Sequence, residues 1–412
     1  MNAEQLVNKL RTGCAGGISA IRVVTRLVPA GGDGDKVFPP TYEGGKYHSE
    51  ERYINGETVK TVVLDSVQSQ ANNIEEALAN AFALGGVDLP LFKVNVPGHD
   101  PVTTLTAPHR IYDAIFRDSE LEGQPFQKSA IGQRLVNARV ANATALFEFS
   151  PTVLFLGAWD SHGGGGVKSA KIPRALTSEI IGLKAQDGAR SASRVDPLGI
   201  ERGNRTIYKH PTDYWTFDTN EAAKDEKGKP VPFGKEGKAG KPSSIGHGNI
   251  TPSLVDNRTH APLPGGVTIS EAIQTTVLSF VQLRRLHFPD EEGRMTPERD
   301  VAGRAVIAAL ALYAVTLQLE NGYDLRSRCF LLPKDLPKFE FVGVTDKTTP
   351  GNIVEITKEV VVGAFNTLRE QAAAHGLSWR SGVTELTPSA KLVELVTRSE
   401  KLAETTADED QS

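Results

Sequence analysis

Hydrophobic and polar positions along this chain change rhythm several times, and each rhythm predicts an element. GISAIRVVTRLVPA (17–30) is rich in β-branched residues and partly alternating, which predicts a strand. KTVVLD (60–65) predicts a short apolar strand that runs straight into SVQSQANNIEEALANAFA (66–83). There Val67, Ala71, Ile74 and Leu78 recur at helical spacing, so one face of a helix turns inward. LPLFKVNV (89–96) is a third strand candidate, and 108–119 and 125–149 carry helical patterns. TVLFLGAW (152–159) and GVTISEAIQTTVLSF (266–280) predict two more strands. RDVAGRAVIAALALYAVTLQLE (299–320) is apolar nearly all round, hence a buried helix. A strand over 323–332 and a helix over 352–376 follow, with Gly376 placed to end that helix.

The order is strand, helix, strand, helical insertion, strand, then strand and helix again. It predicts an α+β fold with an antiparallel sheet and long insertions rather than repeated βαβ units. GGDGDKVFPPTYEGG (31–45) is too rich in Gly, Pro and Asp to be regular. Most turn residues fall in 187–265, and the Lys/Gly/Pro-rich stretch 220–244 is expected to be a mobile loop or hairpin.

Composition narrows the function. At 412 residues, 39% hydrophobic and 23% charged, the chain has the make-up of a soluble globular protein. No apolar run approaches 18 residues and the N-terminus lacks an apolar signal region, so neither a membrane span nor a signal peptide is expected. The two cysteines, Cys14 and Cys329, are far apart, which fits a cytoplasmic location and argues against a disulfide scaffold or a cysteine zinc site. The histidines show no metal-binding spacing, so no metal or other cofactor is expected. A net charge of −4 argues against a general nucleic-acid coat. Between Ser161 and His210, however, nine basic residues face four acidic ones. The C-terminal AETTADEDQS is acidic and expected to be a disordered tail.

The basic region contains WDSHGGGGVKSAKIPR (159–174). Four glycines in a row cost order, roughly 0.5–1 kcal/mol each relative to alanine, so they are either slack or a cradle for something that comes very close. A nucleotide phosphate loop needs Gly before Lys-Ser, and here Val167 precedes Lys168-Ser169. The dinucleotide fingerprint lacks its acidic residue at the required distance. His162-Gly163-Gly164-Gly165 matches the letters of an esterase oxyanion motif, but the chain has no G-x-S-x-G nucleophile elbow. Two readings remain: an incidental surface loop, or a backbone cradle for a nucleic-acid strand with Lys168, Lys171 and Arg174 supplying charge. The start of the 66–83 helix adds a second anion-receptive feature. Ser66, Gln68, Ser69, Gln70 and Asn73 surround unpaired amides, and the carboxylates Glu75 and Glu76 come only later. The plainer alternative is that Asp65 or Ser66 is an N-cap and the rest is solvated surface. Trp159, at the end of its predicted strand, is expected to be a core or interface anchor rather than a base-stacking platform.

Several blocks together resemble one family: GDKVFPPTYEGGKY (34–47), VVLDSVQSQANNIEEAL (62–78), FEFSPTVLFLGAWDSHGGGG (147–166), RALTSEIIG (174–182), PSSIGHGNITPS (242–253) and GGVTISEAIQTTVLSFVQLRRL (265–286). They are similar to the signature blocks of the Cascade backbone subunit of type I-G (formerly I-U) CRISPR systems, in the RAMP superfamily. The resemblance spans about 17–332. It implies an RRM-like (ferredoxin-like) palm formed by 17–90, 151–186 and 265–380, a helical finger at 91–150, a thumb at 187–264 and a tail at 381–412. It also implies a non-catalytic, cytoplasmic subunit that polymerises along one CRISPR RNA and presents the guide to target DNA. Its further partners would be the large subunit and the subunit that processes the RNA and holds its 5′ handle. By similarity, the RNA-facing residues are Lys36, Ser66, Gln68, Ser69, Gln70, Asn73, His162, Gly163, Gly164, Gly165, Gly166, Lys168, Lys171 and Arg174, with Gly246 and His247 at the return of the thumb. The aromatic stacking pair usual for RRM sheets is not evident on the predicted strands. In related type III subunits an aspartate in a loop comparable to 31–45 cuts target RNA. Asp33 and Asp35 therefore keep a nuclease open as the alternative, an unrelated hydrolase being the other; as turn residues they have a plainer explanation.

Overall fold

The computed structural model describes residues 1–160, 171–200, 206–234, 239–254, 264–343 and 352–411. The fold is mixed α+β and divides into two units, residues 1–186 with 267–393 and residues 187–266 with 394–412.

In the first unit, helix α1 (Ala3–Ala15) begins with a reciprocal cap: the Gln5 N–H donates to Asn2 Oδ1 at 2.9 Å, and the Asn2 N–H donates to Gln5 Oε1 at 3.0 Å. Strand β1 (Ala20–Pro29) follows, then the hairpin β2 (Ser49–Ile54) and β3 (Glu57–Asp65). Its turn is Asn55-Gly56, both at positive φ, the conformation two-residue hairpin turns require. Helix α2 (Val67–Ala83) leads to β4 (Pro90–Val94) and then to short helices at Ala114–Arg117, Ala130–Val136, Thr144–Phe149 and Val153–Leu156. Strands β5 (Leu176–Leu183) and β6 (Glu271–Ser279) precede the long helix α3 (Pro297–Asn321). The unit closes with β7 (Tyr323–Arg326), β8 (Cys329–Pro333), β9 (Lys338–Val342), β10 (Asn352–Val354), helix α4 (Lys358–Ala374) and β11 (Gly382–Pro388). The last helix of the chain is α5 (Ala390–Gln411).

The main sheet is antiparallel throughout, in the order β7-β8-β1-β6-β5-β3-β2. β9 continues along the same edge of β1 that β8 occupies, and β10 extends β9. A smaller five-stranded sheet is built on the parallel pair β4 and β11. Alternation sets the faces of the main sheet: Ile21, Val23, Thr25 and Leu27 of β1 are buried, while Arg22 and Arg26 are exposed. The buried face lies under α2 and α3, to which it is joined by Ser178–Gln70 and Gln274–Gln318 hydrogen bonds. Helix α3 is long and apolar enough to cross a membrane, but 89% of its most apolar window is buried inside the protein. It is the central helix of the core.

Several elements differ from the pattern-based expectation. TVLFLGAW is not a continuous strand: Val153–Leu156 is helical, Gly157 turns at φ 78°, and only Ala158–Trp159 is extended. Residues 151–157 are buried, and a short apolar run buried all round has no periodicity to separate strand from helix. The helical patterns at 108–119 and 125–149 break into short pieces around turns such as Glu122-Gly123, both at positive φ. The helix expected from 352 starts at Lys358, after β10. The acidic C-terminus continues α5 as far as Gln411 rather than trailing from it.

In the second unit, Ala192–Arg194 pairs with Ile250–Ser253, and Tyr208–Lys209 pairs with Trp215–Thr216. The lysine-rich stretch folds back on itself: Ala222 and Phe233 are buried, as is Ile207, and the Phe233 N–H donates to Ile207 O at 2.8 Å.

Candidate nucleic-acid interface

The start of α2 is built for exposed polar contact on one side and for anchoring on the other. Ser66 is the N-cap and accepts from the Ser69 N–H at 3.3 Å, and no acidic residue occupies the first turn. Gln68 is exposed, while Ser66 and Ser69 are half-buried. The positive end of the helix is therefore open.

Gln70 does not share that surface, and the half-buried Asn73 is tied down beside it. Both donate their side-chain amides to Asp65 Oδ2, at 2.6 and 2.9 Å, and Gln70 is completely buried. Gln70 Oε1 accepts from Ser178 Oγ and from Gln274 Nε2, each at 2.8 Å. Gln274 continues the chain to Gln318 at 3.0 Å and to the Tyr323 hydroxyl at 2.8 Å. Arg326 closes the other side of Asp65, donating to its Oδ1 at 3.0 Å and to Leu64 O at 2.6 Å. An unmet buried polar group costs about 1–3 kcal/mol, so a satisfied network of this kind fixes where α2 begins over the sheet. For Gln70 this corrects the assignment as a ligand contact: its amide is consumed inside the protein.

The glycine-rich segment emerges from a two-stranded stem. Ala158 pairs with Ile172 and Trp159 with Lys171. Ile172 is buried, whereas Lys171 is exposed and Trp159 is 61% exposed. Trp159 is thus not a core residue of its own fold unit. His162, Gly163, Gly164, Gly165, Gly166 and Lys168 lie outside the described residues. The glycine whose need is visible is Gly157: at φ 78°, a Cβ there would come within 3.0 Å of Arg174 N and Ile172 O.

Two arginines join this stem to α2. Arg174 donates through Nε to Leu156 O at 2.9 Å and through Nη1 to Val67 O at 3.3 Å, so a residue at the base of the hairpin touches the first residue of α2. Two of the Arg174 donors are therefore spent on backbone, which makes it a brace between the elements more than a free cation. Arg110 forms a two-pronged ion pair with Glu75, both contacts 2.7 Å, and donates its remaining arm to Gly157 O at 2.9 Å. Arg110 and Glu75 are both buried. Burial pushes the Glu75 carboxyl up to about 7, against the opposing pull of Arg110 and Arg174. Neither the inward-facing Glu75 with its counterpart Arg110 nor Arg326 as the counterpart of Asp65 was legible in the sequence, because the partners are distant in the chain.

Lys36 is half-buried on the turn after β1, beside the Val37–Val267 bridge. Asp33 and Asp35 are exposed on the same turn, and Asp35 accepts from the Lys36 N–H at 2.9 Å. Among the described residues no three His, Cys, Asp or Glu side chains gather as metal ligands. In the second unit, Gly246 turns at φ 82° and His247 is half-exposed. The loop they begin is held by Asp196, which accepts from the Gly248 N–H, and by Arg194, which donates to the carbonyls of His247 and Gly248.

The open face of the main sheet is charge-balanced. Arg22 pairs with Glu340, Arg26 with Glu271 at 2.7 Å, and Arg52 with Glu179 at 2.6 Å. Other outward positions on β1, β5 and β6 include Val24, Val28, Thr177, Ile181, Ile273, Thr275 and Val277. None of these is aromatic, so β1, β5 and β6 offer no base-stacking platform; the exposed aromatic on this face is Phe330 of the neighbouring strand β8, 47% exposed.

Residues 21–187 match the model of a family described as CRISPR-associated protein GSU0053. The matched stretch is short of half the chain, and it runs from β1 to just past β5. It contains the start of α2, the Arg110–Glu75 pair and the whole glycine-rich hairpin. No curated protein matches the chain. The match supports a CRISPR-associated protein with a role, and partners, in CRISPR defence.

Proposed function

We propose that the chain is a non-catalytic, RNA-binding backbone subunit of a type I CRISPR effector complex. Several copies line up along one CRISPR RNA, grip its sugar–phosphate strand and leave the base edges free to pair with target DNA. The strand order supports an RRM-like palm. The segments 329–333, 20–29, 271–279 and 176–183 lie side by side, with α2 between the first and second of these strands in the chain and α3 between the third and fourth. That is the ferredoxin-like order 4-1-3-2, with the β2–β3 hairpin added at one edge. On this reading the separate unit 187–266 is the thumb.

The observation that carries the reading is the Arg174 bridge from Leu156 to Val67. It brings two anion-receptive elements, far apart in sequence, to one place in a chain of net negative charge. The family match covers both of them. Sequence-tolerant binding follows from open helix amides and lysines, which contact phosphates and not base edges.

The test is co-expression with a CRISPR array followed by purification and nuclease digestion of any bound nucleic acid. The reading predicts co-purifying RNA of one length, and a Lys168→Ala/Lys171→Ala variant that binds RNA more weakly with a shallower salt dependence. Protein free of nucleic acid overturns it. Complementary RNA cut at regular intervals by the assembled complex would instead favour a nuclease using Asp33 or Asp35.

A further inference from the structure

We infer that Trp159 is a base-stacking platform, on which one nucleobase of the bound RNA lies flat. The inference rests on the RNA-binding reading above and names the part of the RNA that the hairpin stem receives. Indole is the largest apolar side chain, yet here it is 61% exposed on an ordered strand pair. The adjacent pair, Ala158 and Ile172, shows that the same strands do bury side chains: Ile172 is 2% exposed. Trp159 and Lys171 are directly opposed in the pairing register, so their side chains leave the same face of the stem. An aromatic plane beside an ammonium matches the alternation of base and phosphate along a single strand.

The surroundings favour RNA over a protein partner. The strand of the stem that carries Lys171 lies in the stretch 161–210, where basic residues outnumber acidic ones, and Arg174 ties it to the open start of α2. The strands β1, β5 and β6, where an RRM-like fold would stack bases, carry charge-paired, aliphatic and threonine side chains on their open face, so Trp159 adds an aromatic surface that those strands lack. Stacking uses only the π face of a base. It leaves the pairing edge free, which a presented guide requires, and it suits any sequence.

The test uses the full chain and two probes, unstructured oligouridine and an abasic oligomer of the same length. Trp159→Ala is expected to bind oligouridine about tenfold more weakly, a change of about 1.4 kcal/mol, and to bind the abasic oligomer as wild type does. Trp159→Phe should retain most of the affinity. Oligouridine should quench tryptophan fluorescence in wild type and not in Trp159→Ala, whose remaining indoles are Trp215 and Trp379. An equal loss on both probes would mean the indole only shapes the stem, and an unchanged affinity on both would mean it touches no RNA. Either result overturns the inference while leaving RNA binding intact. A wild-type chain that binds neither probe overturns both readings.

Discussion

Removing Arg110 should disable the brace that holds the hairpin stem to α2. Its guanidinium makes two 2.7 Å contacts to Glu75 and one of 2.9 Å to Gly157 O. It does so from a left-handed backbone conformation, φ 54°, that non-glycine residues adopt only when their surroundings hold them there. Arg110→Ala would leave Glu75 buried without a partner, a loss of about 3–5 kcal/mol for a desolvated pair. The double variant Glu75→Leu/Arg110→Met removes both charges and fills the same space, so its loss should be well below the sum of the two single losses. Equilibrium urea unfolding in a Trp215→Phe background reports on the first unit, because Trp159 and Trp379 are then the remaining indoles. A single variant that loses less than about 1 kcal/mol, or a double variant that is simply additive, would refute the reasoning that this pair is a desolvated brace.

Two further outcomes follow from the same groups. With its carboxyl pushed up to about 7 from about 4.5, folded Glu75 holds its proton more tightly than unfolded Glu75 does. Its stabilising contribution is therefore complete below about pH 4.5 and lost as pH rises to about 7. The stability of wild type relative to Glu75→Gln should fall across that window by up to about 3 kcal/mol and stay level above it, as denaturant titrations at several pH values would record. Gln70 and Gln68, two positions apart, should behave oppositely. Gln70→Ala should cost about 1–3 kcal/mol of stability by removing its buried hydrogen bonds to Asp65, Ser178 and Gln274, whereas Gln68→Ala should leave stability unchanged and weaken RNA binding; thermal denaturation and filter binding of both variants separate the roles.

Much of the architecture was legible because it rests on local rules. β1, α2, β6 and α3 stand within a few residues of where periodicity puts them, and the fold class follows from their order. The hairpin of Ser49–Ile54 and Glu57–Asp65 was not among the expected elements, although its Asn55-Gly56 turn is a two-residue hairpin signal. What periodicity could not reveal were the buried polar positions. In the pattern of α2, Gln70 and Glu75 look like solvent-facing residues beside an apolar seam. They are buried because Ser178, Gln274 and Arg110 arrive from other segments to satisfy them, and nothing local announces those partners. The same holds for Asp65 with Arg326. The exposed Trp159 was missed for the converse reason: large aromatics are usually buried, and only the register of a two-residue strand pair turns this one outward.

The central claim is that the stem of the glycine-rich hairpin and the start of α2 face one RNA strand. Photocrosslinking the full chain to 4-thiouridine-substituted RNA, followed by mass spectrometry of the crosslinked peptides, tests it directly. The account predicts crosslinks in both the peptide that carries Ser66–Ser69 and the peptides that carry Trp159 and Lys171. Crosslinks confined to the open face of the sheet, or to one of the two elements alone, would contradict it.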